Sequence, residues 1–345
     1  MYQTCIYNYD KLLEEPLLSF IHTMMKKTKY FLSKSWEGGP HIQLVTEEKL
    51  TDSKFNQLKN HIVKLKRSHF LDEAYIGRVK LQYEQNAQLL SNLENKTFVK
   101  RIRDHGEVEI RLFEFDFQNA ELTQLYLLER FEINQLLIDT KSYLLEKNVT
   151  EEELFPLIFA QVSEIYHDKG NNKGYFSFIS HVQGFFELSD KQQMPYSEAL
   201  FEEMYQKKNA GFEMIKITHS QLIKRWGEQF SKFYERCLSQ IDQLLSEEYK
   251  VTLDNTIVEL KNNFQNDFHK NFVSYAEQNN FMEKPEATAY RFTINLLYLT
   301  LPLFNISALK KQKYIYMAYR EVEKRKGKTW KEELNIGNEN QSKSI

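Results

Sequence analysis

Apolar residues recur every three or four positions over much of the chain, which is the spacing of one face of an α-helix. The clearest example runs over residues 222–244, where charged and amide side chains separate the apolar positions. The same spacing predicts three further helices, over residues 55–65, 122–131 and 257–272. A last helix is predicted to begin after Ser307 as its N-cap and to end at Gly327.

Alternating apolar and polar residues, the pattern of a half-buried strand, occur mainly in the first third of the chain. They predict four strands, over residues 29–33, 41–45, 75–81 and 107–118. In the last of these the alternation changes phase between Leu112 and Phe113, which predicts a bulge or a bend at that point. Strands early and helices late are typical of the α+β class, so we predict an antiparallel or mixed sheet packed against a large layer of long helices.

The length of 345 residues allows about two domains. However, the chain has only 11 Gly and 6 Pro to interrupt it, which favours long helices joined by modest loops. We therefore predict a single elaborated domain over residues 1–331. A polar tail over residues 332–345 is expected to be disordered.

Charge and cysteine content restrict the classes of function. Lys and Arg total 46 and Asp and Glu total 48, so no general electrostatic argument supports a nucleic-acid partner. Cys5 and Cys237 are too few for a four-thiolate metal site or a disulfide framework. The first ten residues lack a secretory signal pattern, and the most apolar segment, residues 292–304, is too short for a bilayer. We expect a cytoplasmic protein without a membrane partner, and a core helix that breaks near Pro302.

Several common catalytic and ligand-binding motifs are absent from the sequence. It contains no Gly-x-Gly-x-x-Gly, no complete phosphate-binding loop, no His-Glu-x-x-His and no Gly-x-Ser-x-Gly. Residues 168–174 loosely resemble a calcium loop, but Gly170 has no side-chain oxygen and Ile179 stands where the closing Glu belongs. We predict a turn there.

Two short stretches carry candidate chemistry. Residues 35–44 place Trp36, Glu37 and His41 at a turn between two predicted strands, which is also what an ordinary Gly-containing hairpin with a packed indole contains. Residues 175–186 place Ser180 and His181 in an aromatic run. Because a buried polar group costs about 1–3 kcal/mol unless it is paired, these groups either satisfy the backbone, as in a core histidine, or face a cavity.

Three segments carry a resemblance to a known family. The most specific is residues 30–44, Tyr-Phe-Leu-Ser-Lys-Ser-Trp-Glu-Gly-Gly-Pro-His-Ile-Gln-Leu, and the others are Ser-His-x-x-Gly-Phe at 180–185 and Asn-Leu-Leu-Tyr-Leu-Thr-Leu-Pro at 295–302. In these segments the chain resembles the C-terminal-domain family of class I lantibiotic dehydratases and its stand-alone relatives in thiopeptide biosynthesis. The resemblance spans residues 7–330.

That family contains two chemistries. In its glutamate-eliminating members, arginines after the Pro-His pair hold glutamate carboxylates, but here Gln43 and Val45 occupy those positions. Gln cannot supply the charged bidentate fork that a carboxylate favours. The resemblance is closer to the thiopeptide pyridine synthases, and it implies a formal 4+2 aza-cycloaddition of two dehydroalanines with loss of water and of the leader peptide. It implies no metal or organic cofactor. The implied partner is a ribosomal precursor peptide, with other enzymes of the pathway as further candidates.

The resemblance also suggests roles for individual residues. His181 would move protons, Ser180 would hold the amide oxygen or the leaving hydroxyl, Tyr298 would donate to a developing oxyanion, and Gln312 would orient a peptide amide. Taken alone, Tyr298 is also typical of a packing residue and Gln312 of a solvated one. Candidate substrate-binding residues are Trp36 and His41 at the cavity mouth, and Gln43 beside them.

Leader-peptide binding has two candidate surfaces. The first is a basic face of the last helix, although charged helix faces are usually just solvated. Its residues are Lys310, Lys311, Lys313, Arg320, Lys324, Arg325, Lys326 and Lys328. The second is an edge strand within residues 107–118. Two alternative functions remain at this point, namely a glutamate-eliminating enzyme and a non-catalytic peptide-binding scaffold of the same fold.

Overall fold

The computed structural model describes residues 1–68, 72–93, 101–115, 117, 119–278, 281 and 284–334. It contains a four-stranded antiparallel sheet from the first third of the chain, followed by helices over most of the remainder. The α+β prediction is therefore confirmed. The chain separates into two compact units: unit 1 is Met1–Asp116 with Arg130–Asn134, and unit 2 is Phe117–Glu129 with Gln135–Ile345.

The sheet of unit 1 has the strand order β2-β3-β1-β4. Its strands are β1 (Tyr2–Tyr7), β2 (Tyr30–Ser35), β3 (His41–Thr46) and β4 (Val108–Leu112). The predicted hairpin at residues 35–44 joins β2 to β3. Gly38 and Gly39 have φ of +74° and +112° there, and a Cβ on Gly39 would lie 2.7 Å from the Tyr9 hydroxyl, so this tight turn requires glycine.

Two strand predictions were wrong, and each has a physical reason. Residues 75–81 lie in helix α3 (Glu73–Leu93), because their less exposed positions 75, 76, 79, 80 and 83 follow helical spacing. Strand β1 was missed because it pairs on both sides, with β3 and β4, and is buried along almost its whole length, so no alternation marks it. Strand β4 ends at Leu112, where the phase change predicted a break. Asp116 and Gln118, at the end of that predicted strand, lie outside the described residues.

The helices preceding α3 are α1 (Glu14–Met25) and α2 (Asp52–Ser68). Helix α4 (Ala120–Lys147) follows β4, and its residues Arg130–Asn134 group with unit 1. The remaining elements belong to unit 2: α5 (Glu151–Ser163), β5 (His167–Asp168), β6 (Asn171–Asn172), α6 (Phe176–Lys191), α7 (Glu198–Thr218), α8 (Ser220–Ser239), α9 (Ile241–Leu244), α10 (Glu247–Asn263), α11 (Asp267–Gln278), α12 (Pro285–Thr300), α13 (Ala308–Lys326) and α14 (Trp330–Glu333).

Helix α8 carries the strongest amphipathic pattern of the sequence. Trp226, Phe230, Phe233 and Cys237 are fully buried on one stripe, as predicted. The helix ends at Ser239, earlier than the predicted residue 244, and the short helix α9 continues the apolar stripe. This stripe forms part of the core of unit 2. Its burial stabilises the fold by about 25 cal/mol per Å² of apolar surface removed from water.

The prediction of one helix over residues 257–272 was wrong. Helix α10 ends at Asn263, and α11 begins at Asp267. The Asn266 side chain accepts the backbone N–H of His269, while the Glu187 carboxylate accepts the N–H groups of Gln265 and Asn266. A local N-cap and a distant carboxylate therefore start a new helix where the apolar spacing is continuous.

Helices α12 and α13 form the C-terminal part of unit 2. The predicted break near Pro302 is confirmed, since α12 ends at Thr300 and a 3-10 turn covers Leu301–Phe304. Ser307 caps α13 and Gly327 ends it with φ +61°, both as predicted. Glu332 and Glu333, the first two residues of the predicted tail, lie in α14. Residues 335–345 lie outside the described residues. In the described ranges, no helix combines the length and the apolar character needed to span a membrane.

The predicted turn at residues 168–174 is a two-stranded β5–β6 ladder, with Lys169 and Gly170 at positive φ. It leads into Gly174, which lies directly before α6. That helix packs against α11 and α13, and these three helices together with α12 hold the residues of the candidate site.

Candidate functional site

Three predicted residues, Ser180, His181 and Tyr298, lie in one group in unit 2. Ser180 and His181 are consecutive on α6, and the Tyr298 ring on α12 meets the His181 ring edge-on with centroids 5.3 Å apart. The Lys311 ammonium on α13 lies 4.4 Å from the centroid of the same Tyr298 ring, in cation–π contact. His269 on α11 completes the group, since its Nε2 is 3.0 Å from Ser180 Oγ. We call these five residues the polar cluster.

His181 is exposed to solvent, yet protein atoms surround its position. That surrounding protein, together with the positive charge of Lys311, lowers the pKa of the imidazole below its usual value. His181 is therefore a neutral imidazole at pH 7 that is accessible to a ligand.

Tyr298 and Gln312 contribute unsatisfied polar atoms. The Tyr298 hydroxyl and Gln312 Oε1 are both buried and have no hydrogen-bond partner among the described residues. Burial raises the pKa of Tyr298 and lowers the pKa of Lys311. Tyr298 is thus a protonated hydrogen-bond donor at pH 7, and the Lys311 ammonium is a stronger acid than a lysine in water. A buried donor without a partner costs about 1–3 kcal/mol, which a substrate acceptor would recover.

Lys311 and His269 were missed as site residues by the sequence analysis. Lys311 was assigned to the basic docking face because only its charge was considered. His269 follows Phe268 in a second aromatic run, Phe264 to Phe272, which is the same signal that identified His181. The signal was present, but its interpretation as a core stripe of one long helix concealed it.

The predicted residues Trp36, His41 and Gln43 belong to unit 1. His41 is 3% exposed, its Nδ1 lies 2.9 Å from the Gly39 carbonyl oxygen, and its ring packs on Tyr7 with centroids 4.8 Å apart. Gln43 donates to Gln3 across the sheet at 2.9 Å. The structure thus gives His41 and Gln43 interactions that stabilise the sheet, and Trp36 lies in the β2–β3 turn.

The pH dependence of stability tests the burial of His41, because burial lowers its pKa to about 4. In the unfolded chain the pKa is about 6.5, so the unfolded state binds more protons between these values and stability falls as the pH falls through this window. We expect His41 to lower the free energy of unfolding by about 2 kcal/mol at pH 5 relative to pH 7.5. Urea unfolding of the wild type and of His41→Asn at both pH values measures this difference.

The control for this measurement is His167→Asn, which alters an exposed histidine. It should retain the wild-type loss of stability on acidification, whereas His41→Asn should show a smaller loss. Identical pH dependence in the wild type and in His41→Asn would contradict the burial argument.

The basic residues of α13 do not form one continuous face. Lys310 and Lys313 lie near its N-terminal end and Arg320 lies about 10–15 Å further along the axis, beyond the buried residues 314–319. Arg320 is held between two carboxylates, with Nε 3.1 Å from Glu202 Oε2 and Nη1 2.9 Å from Glu323 Oε2. The two carboxylates offset the positive charge of Arg320 that an acidic leader peptide would otherwise meet.

A groove of about 340 Å³ lies where the C-terminal end of α13 meets α7. Its lining includes Tyr205, Glu323 and three basic residues, Arg320, Lys324 and Lys328. Arg320 and Glu323 pair with each other there, and the lining contains neither Ser180 nor His181 nor Tyr298, so we place the chemistry in the polar cluster instead. Strand β4 is an edge strand of the sheet, and its last residue, Leu112, is 63% exposed. Among the described strands none pairs with its outer side, which is the alternative docking surface. The described part of the chain contains no group of three His, Cys, Asp or Glu side chains placed to bind a metal.

Comparison with known proteins identifies the fold. No family model matches the sequence, and no curated protein matches it. Among solved structures, the pyridine synthase TbtD from thiomuracin biosynthesis matches with a TM-score of 0.65 at 12% identity, covering 94% of this chain and 98% of that chain. The crystal structure of TsrL matches with a TM-score of 0.55 at 13% identity, covering 95% of each chain. The chain therefore shares its fold with a thiopeptide pyridine synthase, as the sequence resemblance predicted.

Proposed function

We propose that this protein is a thiopeptide pyridine synthase, which joins two dehydroalanines of a modified ribosomal peptide and releases water and the leader peptide. The observation that carries the proposal is the fold shared with TbtD over nearly the whole of both chains. The polar cluster supports it, because Ser180, His181 and Tyr298 lie together in aromatic surroundings. They are uncharged hydrogen-bonding groups at pH 7, and an amide substrate requires such groups.

The first chemical requirement is conversion of a substrate amide to its imidic-acid tautomer. This step takes the proton from the amide nitrogen and delivers a proton to the amide oxygen. Tyr298, a protonated donor with no partner in the described protein, would hydrogen bond to that oxygen, and the Lys311 ammonium against its ring would stabilise the developing charge. His181, neutral and accessible, would exchange protons with the reacting groups.

The second requirement is to bring two distant parts of one peptide together. Holding both dehydroalanines at one site makes the cycloaddition intramolecular in effect, which is worth up to about 7–11 kcal/mol of the barrier. Gln312 Oε1 is buried and has no hydrogen-bond partner among the described residues, so it would accept an N–H of the peptide backbone. Trp36, His41 and Gln43 stay candidate binding residues, with the sheet interactions of His41 and Gln43 making them weaker candidates than Gln312.

Leader binding would use one of two surfaces. The open edge of β4 can accept an extended peptide through backbone hydrogen bonds. Lys310 and Lys313 at the start of α13 are the basic alternative, with Arg320 less suited because Glu202 and Glu323 pair with it. Substitution of Leu112 by Pro, compared with a Lys310→Ala/Lys313→Ala double variant, separates the two surfaces in a leader-binding titration.

The function is tested by incubating the purified protein with a leader-bearing, azole-containing peptide that has two dehydroalanines. Mass spectrometry should show a macrocycle lighter by water and by the leader, together with a C-terminally amidated leader. Release of glutamate from a glutamylated peptide would instead support the eliminating enzyme. Binding of the leader without turnover of either substrate would support the non-catalytic scaffold.

A further inference from the structure

His269 is the most completely enclosed member of the polar cluster. It is 2% exposed, its ring stacks on Phe264 with centroids 4.6 Å apart, and Phe268 meets it edge-on. Burial lowers its pKa to about 4, so the ring is neutral at pH 7. Both ring nitrogens nevertheless have polar neighbours, with Nδ1 2.8 Å from Asn266 Oδ1 and Nε2 3.0 Å from Ser180 Oγ.

The hydrogen bonds of Asn266 determine which nitrogen of His269 carries the proton. Asn266 Nδ2 donates to Glu187 Oε2 at 2.8 Å, which directs the amide oxygen towards His269. That oxygen can only accept, so Nδ1 of the neutral imidazole carries the hydrogen. Nε2 is then an unprotonated acceptor, and the Ser180 hydroxyl donates to it. The result is a continuous chain from Ser180 through His269 and Asn266 to the carboxylate of Glu187.

The Glu187 end of this chain is firmly held. The carboxylate accepts the backbone N–H groups of Gln265 and Asn266 as well as the Asn266 side chain, and it pairs with Lys191. These donors lower the pKa of Glu187 to about 2, so it is a fixed negative charge at pH 7. A negative charge behind Asn266 stabilises any positive charge that develops on His269.

Gly184 allows α11 to approach α6 closely enough for this contact. It lies one turn after Ser180 on the same face of α6. A Cβ at Gly184 would lie 3.1 Å from Phe264 and 3.7 Å from His269 Cε1. The Ser-His-x-x-Gly segment therefore supplies both the hydroxyl that contacts His269 and the space that its ring occupies.

We propose that the Ser180–His269–Asn266–Glu187 chain is the base side of the site, with His269 as a positioning and proton-accepting residue that acts through Ser180. The inference rests on the proposed function. As the amide N–H of the substrate gives its proton to Ser180 Oγ, the hydroxyl proton of Ser180 passes to His269 Nε2. The amide oxygen takes a proton from the side of the site formed by Lys311 and Tyr298, which leaves Lys311 as a neutral amine. The positive charge lost by Lys311 equals the positive charge gained by His269, so total charge is conserved.

The same two sides then remove water from the cycloadduct. The ring hydroxyl leaves as water after it takes a proton from the Ser180 hydroxyl. The proton held on His269 then passes back to Ser180. A ring C–H proton passes to the neutral amine of Lys311. Both residues regain their starting protonation, and the step needs no oxidant, reductant or further co-reactant.

His269→Gln tests the chain because the amide oxygen of Gln accepts a hydrogen bond from Ser180 but cannot take its proton. We expect kcat for pyridine formation to fall about 100-fold or more with little change in KM. The matched control is His219→Gln, since His219 is 6% exposed and bonded to the Tyr143 hydroxyl at 2.8 Å in the same unit. It should retain wild-type kcat. A His269→Gln enzyme within threefold of wild type would overturn the proposal.

Nitrogen NMR of the wild-type protein tests the chain without turnover. Histidine labelled with ¹⁵N should show His269 protonated at Nδ1, and Ser180→Ala should shift the Nε2 resonance of this residue while its tautomer is retained. Protonation at Nε2 would make His269 a donor to Ser180 and overturn the inference. If the wild type makes no pyridine but this tautomer is found, the function fails while the hydrogen-bonded chain stands.

Discussion

Replacing Tyr298 with phenylalanine is expected to lower kcat for pyridine formation by about 100-fold or more without loss of stability. The hydroxyl is buried and has no partner in the described protein, so its removal deletes no internal hydrogen bond. Because an unsatisfied buried hydroxyl is itself unfavourable, thermal stability should stay equal or rise slightly. Single-turnover kinetics and a thermal melt on the same preparation measure both effects.

The matched control for this substitution is Tyr126→Phe. Tyr126 also lies in unit 2 with a buried hydroxyl, but that hydroxyl donates to the Phe292 carbonyl oxygen at 2.7 Å. Its loss should cost about 1–2 kcal/mol of stability and leave kcat unchanged. Full activity in Tyr298→Phe would remove Tyr298 from the mechanism and leave it a packing residue.

Replacing Gly174 with alanine is expected to destabilise the protein by about 3 kcal/mol. A Cβ at this position would lie 2.2 Å from the Ser163 carbonyl oxygen and 2.8 Å from the Tyr290 hydroxyl. The carbonyl belongs to the last turn of α5 and cannot rotate away. Relief of the clash requires a backbone shift directly before α6, so the position of Ser180 and the activity should change together with the unfolding free energy.

Gly211→Ala is the control for the glycine substitution. Gly211 lies inside α7 of the same unit, and no atom lies within 4 Å of a Cβ built on it. Alanine should stabilise this helix by about 0.5–1 kcal/mol. Chemical denaturation of the three proteins gives both differences, and a Gly174→Ala protein as stable as the wild type would show that the α5–α6 connection is more adaptable than its contacts imply.

Part of the candidate site could be predicted from the sequence, because a polar residue in an aromatic run needs a partner or a cavity. That reasoning identified Ser180 and His181, and the apolar segment before Pro302 identified Tyr298. It did not find the contact between Ser180 and His269, which are 89 residues apart. It also assigned Lys311 by charge, whereas its cation–π contact with Tyr298 joins two different helices, α12 and α13.

Local sequence patterns were enough to predict the α+β class, the β2–β3 hairpin, the core stripe of α8, and both ends of α13. Each of these depends on local rules, namely residue spacing, the N-cap of Ser307, and the positive φ that Gly38, Gly39 and Gly327 adopt. Neighbouring residues alone establish such features.

Four features became visible only in the folded chain: the break between α10 and α11, the helical state of α3, the central position of β1, and the grouping of the polar cluster. In each case the deciding partner is distant in sequence. The Glu187 carboxylate holds the start of α11 from 79 residues away, and β1 is defined by strands that pair on both of its sides. Periodicity cannot contain such information, because it records which residues are buried but not what they are buried against.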